Sequence, residues 1–88
     1  MPTPKSAAAL RYEGGDGAPT VIASGRGAIA ERILAAAREA GVPVREDELL
    51  AQALAALDAG TEVPPELYQA VAEALVWAYR LSSRRPPV

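Results

Sequence analysis

The chain has 88 residues, half of them hydrophobic, with no Cys, no His and a formal net charge of −2. That length supports one domain with a modest core. The composition removes disulfides, thiolate metal sites and the commonest general base, and it argues against a nucleic-acid partner, which usually meets a basic stripe. No apolar run approaches the roughly 20 residues that span a bilayer, and the N-terminus lacks the apolar stretch of a signal peptide. The expectation is a soluble domain with no metal, cofactor or direct membrane insertion.

Residues 1–6 (MPTPKS) are Pro-rich and read as a flexible lead-in. In residues 7–12 (AAALRY), alternation places Ala8, Leu10 and Tyr12 on one face, although Ala favours helix. The following EGGDG, residues 13–17, is a turn sequence of the kind that closes a hairpin. Residues 18–24 (APTVIAS) then carry the only β-branched run, Thr20-Val21-Ile22, which predicts a strand antiparallel to the first.

Gly25-Arg26-Gly27 ends that strand and opens a helix over residues 28–40, with Ile29, Ile33, Ala36 and Ala37 inward and Glu31, Arg32, Arg38 and Glu39 outward. Gly41 is placed to cap its C-terminus. Val42-Pro43-Val44 reads as a third, short strand at a sheet edge, since Pro43 cannot donate to a ladder. Strand, helix and strand in this order predict a right-handed parallel crossover. Asp47 is placed as the N-cap of the next helix, with Leu50, Leu54 and Leu57 as its inward row and Leu49, Ala53 and Ala56 beside it. Asp58-Ala59-Gly60 ends it.

Residues 64–81 (PPELYQAVAEALVWAYRL) form the longest helical pattern, opened by Pro64 and Pro65. Leu67, Val71, Ala74, Leu75, Ala78 and Leu81 make one apolar stripe, with Leu75 expected to be buried like Leu54. Glu66, Gln69, Glu73 and Arg80 lie opposite, while Tyr68, Ala72, Val76, Trp77 and Tyr79 widen the stripe beyond what one neighbour covers. Residues 83–88 read as a disordered tail. The fold class is therefore mixed α/β, about three strands and three helices in the order β-β-α-β-α-α.

Candidate chemistry is sparse. Gly25-Arg26-Gly27 sits where phosphate loops sit, but the P-loop lysine and a third glycine are missing, so it reads as a tight turn needing positive φ. Glu46, Asp47 and Glu48 are adjacent on the chain and converge poorly on one ion. With no His or Cys and no convergent polar site, an enzyme is not expected.

The motifs Ala18-Pro19-x-Val21-x-Ala23-x-Gly25-x-Gly27, Glu31-Arg32-Ile33 and Gly41-Val42-Pro43-Val44 stand in this order along the chain. They are followed by the longer Val63-Pro64-Pro65-Glu66-Leu67-Tyr68-x-Ala70-Val71-Ala72-Glu73-x-Leu75 and by Tyr79-Arg80-Leu81. Together they resemble the cytoplasmic domain of the FlhB/YscU/SpaS/EscU family of type III secretion proteins, over about residues 8–82. The resemblance implies a small mixed sheet surrounded by helices, located at the cytoplasmic face of the inner-membrane export gate. It implies a non-enzymatic component or modulator of flagellar protein export that acts in switching substrate specificity. The implied partners are export substrates, the membrane half of FlhB, the FlhA cytoplasmic domain and the hook-length control protein. An interaction or regulatory domain without an export role is the alternative. The substrate patch of the family maps onto Ala18, Pro19, Ala72 and Leu75.

The sequence departs from the family in two ways. It contains no membrane domain, and it contains neither the Asn nor the His of the Asn-Pro-Thr-His loop that cleaves itself in family members. Met1-Pro2-Thr3 resembles the start of the carboxy-terminal half after cleavage. The strand that precedes the loop in the family is absent too, which implies an open strand edge able to accept another chain or a second copy. Cyclisation of an Asn side chain is impossible without Asn, so the purified chain should remain one polypeptide. Its intact mass after days at neutral pH checks this; a fragment pair arising without protease would contradict it.

Overall fold

A computed structural model describes residues 5–14 and 17–83. Two strands come first, β1 (Ser6–Arg11) and β2 (Thr20–Arg26). They pair antiparallel from Ser6 opposite Arg26 to Arg11 opposite Thr20, with a bulge between Ala9 and Leu10. The hairpin is thus as the sequence predicts, and Ser6 belongs to it. Residues 1–4 of the expected lead-in, Gly15 and Asp16 of the turn, and residues 84–88 of the expected tail lie outside the described residues.

Helix α1 (Ala28–Ala40) follows at the predicted bounds. Gly27 has φ 61°, and Gly41 has φ 73°, a left-handed cap whose N–H reaches the carbonyls of Ala37 and Arg38. Gly25 is needed for a different reason. A Cβ there would overlap Cγ2 of Ile29 and lie 2.8 Å from its Cβ. The end of β2 and the first turn of α1 can meet only over a bare backbone. Helix α2 (Glu48–Ala55) is capped as predicted, with the Asp47 side chain accepting from the Leu50 N–H at 3.1 Å. A 3₁₀ turn at Pro65–Leu67 then leads into α3 (Tyr68–Ser83).

The mixed α/β class and the three helices stand, but the strand expected at Val42-Pro43-Val44 is not formed. Residues 42–47 are irregular, and the sheet has two strands. The crossover built on that strand therefore does not exist. Pro43 supplies no donor, and the segment leaves α1 without entering a ladder. The start of the free side of β2 is taken instead by residues 60–63. Val21 N–H donates to Thr61 O at 2.8 Å, Gly60 N–H to Val21 O at 2.7 Å and Val63 N–H to Pro19 O at 2.8 Å. Thr20 and Glu62 form an isolated antiparallel bridge there.

The core is the cluster Val21, Leu50, Leu54, Val63 and Val71, with Leu10, Leu57, Leu67 and Leu75 packed around it. Ser24 Oγ donates to the Leu57 carbonyl, tying β2 to the end of α2. Several expected inward positions differ. Ala30 is the buried residue of α1, while Ile29 and Ala36 are exposed. Leu49 is 81% exposed and Leu81 41%, so both leave their predicted rows. Ala56 is exposed, and Leu75 is half-buried at the edge of the core.

Leu54, 4% exposed, contacts the central cluster. Leu54→Ala should cost about 2–5 kcal/mol, read as a lower denaturant midpoint. Gly25→Ala should destabilise by about 1–3 kcal/mol through overpacking against Ile29. Pairing it with Ile29→Ala should recover part of that loss, and an unchanged melting curve for the single variant would show that β2 and α1 are spaced differently.

Candidate docking site

Helix α3 carries the exposed large apolar side chains of the last third of the described chain, Tyr68, Val76, Tyr79 and Leu81. Its first half is anchored, since Val71 is 1% exposed in the core beside Val63. The opposite side is open. Tyr68, Val76 and Tyr79 are 45%, 49% and 76% exposed, and Ala72 is exposed between them. As the sequence predicts, α3 carries more apolar surface than the domain covers. Glu73 and Arg80 flank this strip and are both exposed.

The four positions expected to form one patch are distributed differently. Pro19 is fixed beside the approach to α3 through its carbonyl bond to Val63, and Ala18 and Pro19 are half-buried. Ala72 lines a cleft of about 590 Å³ with Arg45, Val76, Trp77 and Arg80. Leu75 lines a second, more apolar groove of about 620 Å³, on the other side of the helix. Ala18 and Pro19 border neither.

Sequence reasoning did not foresee the second groove. It runs between β1, α1, residues 42–45 and α3, with Ile33, Val44, Leu54 and Trp77 among its walls. The whole of Ser6–Leu10 borders it. Among the described residues β1 pairs with β2 only. Ser6 Oγ is buried at this edge without a hydrogen-bond partner among the described residues. An unpaired strand edge beside an apolar groove suits an extended peptide. The misread strand hid this groove, because residues 42–44 were expected to pair in the sheet.

The acidic side chains of the described residues form no group able to hold a metal ion, and Asp47 caps α2. Among the described residues no helix is long and apolar enough to cross a membrane.

A family model described as the FlhB HrpN YscU SpaS family matches residues 2–78. The chain is 41% identical over 78 residues to YlqH of Bacillus subtilis, covering 88% of this chain and 84% of that protein. It is 44% identical over 77 residues to the flagellar biosynthetic protein FlhB of Yersinia enterocolitica, covering 85% of this chain but 20% of that protein. The chain therefore spans about a fifth of the length of that flagellar relative. Among solved structures, the PscU C-terminal domain matches with a TM-score of 0.75 and 35% identity, over 83% of this chain and 95% of that one. A mutated EscU/SpaS C-terminal domain matches with a TM-score of 0.79 and 29% identity, over 86% of this chain and 96% of that one. With its motifs, its fold and the family model agreeing over nearly all of its length, the chain belongs to the FlhB/HrpN/YscU/SpaS family of flagellar and type III export proteins.

Proposed function

We propose that this chain is a non-enzymatic component or modulator of the flagellar type III export apparatus. It binds export substrates or export-gate proteins at the cytoplasmic face of the inner membrane and takes part in switching substrate specificity. The observation that carries this reading is the open apolar side of α3, with Ala72, Val76 and Tyr79 exposed in a chain of an export family. Exposed, contiguous apolar surface on a small domain is the usual mark of a protein-binding face.

Two surfaces divide the work. Ala72 and its cleft receive the export substrate, with Leu75 supporting that side of the helix from the core edge and Ala18-Pro19 extending the patch at the start of β2. The β1 edge accepts a strand of an export-gate protein, such as the membrane half of an FlhB, where main-chain bonds would satisfy the open edge and the Ser6 hydroxyl. The FlhA cytoplasmic domain and the hook-length control protein are the other partners of this reading.

A second reading is a regulatory interaction domain with the same fold and no direct export role. It is favoured by one observation: YlqH, which is small, is matched along most of its length, whereas FlhB is matched over a fifth. Export and motility in a deletion strain, with hook lengths measured, separate the two readings. The first predicts altered hook length or export, and the second predicts neither.

The substrate face has its own test. Ala72 is exposed, so Ala72→Glu should leave the melting temperature nearly unchanged. It should weaken binding to a rod or hook subunit by more than about tenfold, about 1.4 kcal/mol, because a desolvated carboxylate costs far more than the methyl it replaces. Titration of the folded variant decides the matter, and unchanged affinity would move substrate docking away from α3.

A further inference from the structure

The open side of α3 has an internal symmetry that points to a second copy of this chain. Ala72, Val76 and Tyr79 follow one another at spacings of four and three, the spacing of a seam between two helices. Glu73 and Arg80 lie together along one flank of that seam. We propose that two copies associate through α3, antiparallel, about a two-fold axis beside Val76.

The register follows from the residues. In an antiparallel pair related by a two-fold axis, a residue as far before the axis as another lies after it meets that residue of the second copy. An axis at Val76 brings the Val76 side chains against each other. An axis half a residue before Val76 centres the large Tyr79 ring over the small Ala72 of the other copy, as a knob needs a hole. An axis half a residue after it sets Glu73 opposite Arg80, and this occurs twice. These three pairings call for axes within one residue of each other, a difference of about 1.5 Å along the helix. The long Glu and Arg side chains absorb an offset of that size. A parallel pair would instead put the Glu73–Arg80 flanks of the two copies on opposite sides of the seam, so no Glu73–Arg80 pair would form. One strip of surface thus supplies its own apolar and charged complement, as an isologous interface requires.

A single helix pair buries less than the roughly 800 Å² per partner of a standard stable interface. The association is therefore weak and depends on concentration. It covers Ala72, so self-association and occupation of that cleft by another protein would exclude each other. The test uses the chain alone, so its result is independent of the export reading.

Sedimentation equilibrium of the full chain, from about 10 μM to about 1 mM, spans the affinity range of such a contact. The parent should move from monomer towards dimer. Glu73→Arg alone and Arg80→Glu alone each create two repulsive pairs and should weaken association by more than about tenfold. An equimolar mixture of these two variants restores both attractive pairs and should return association to within about threefold of the parent. Glu31→Arg, which makes the same charge change on the exposed face of α1, should have no effect. Circular dichroism confirms that each variant is folded. A parent that stays monomeric throughout, single variants that associate like the parent, or a mixture that fails to recover would each overturn the proposal.

Discussion

The contact on which the molecule depends is the meeting of Val21, Val63 and Val71. These are the largest fully buried side chains among the described residues, and they come from β2, the segment after α2, and α3. The contact is held on both sides of Val21 by backbone bonds to Gly60 and Thr61, and by the bond from Val63 to Pro19. Burial of three β-branched side chains contributes roughly 1.5–3 kcal/mol each. The associated hydrogen bonds contribute about 0.5–1.5 kcal/mol each. Without this contact α3 would be held mainly by Leu75 at the core edge, because the other inward positions of its later turns are half-buried Ala74 and Ala78, and alanine buries little area.

That mode of attachment explains the open side of α3. A helix fixed by one side near its start can leave the other side free without unfolding. Ala72, Val76 and Tyr79 are therefore exposed, while Val71 on the other side is packed in the core. The same economy applies to the hairpin. The start of its β2 edge is closed by residues 60–63, and among the described residues β1 pairs with β2 only. The two open surfaces lie on either side of one small core and are separated by α3, with Trp77 bordering both.

Features governed by local chemistry were legible in the sequence. Gly41 as a left-handed cap, Asp47 as an N-cap, the bounds of α1 and the antiparallel hairpin each follow from a few neighbouring residues. Features governed by tertiary choice were not. Val42-Pro43-Val44 and Thr61-Glu62-Val63 are equally short and equally β-branched, and only the position of β2 decides which one joins it. The proline-free segment does, and its signal was hidden by the helix start at Pro64. In α1, helical spacing alone put Ile29 inward, whereas the packing of the helix buries Ala30 and leaves Ile29 55% exposed. The excess apolar surface of α3 was legible because it depends only on helical spacing. The separation of Ala72 from Leu75 into different clefts was not, because it depends on where the α3 axis lies.

Amide hydrogen exchange of the folded chain, with and without a purified rod or hook subunit, tests the central claim most directly. The account predicts added protection along the later turns of α3 around Val76 to Arg80, while the amides of Val21 and Val63 stay as protected as in the free chain. Protection confined to the outer face of α1, or none at a subunit concentration that saturates a control export protein, would contradict it.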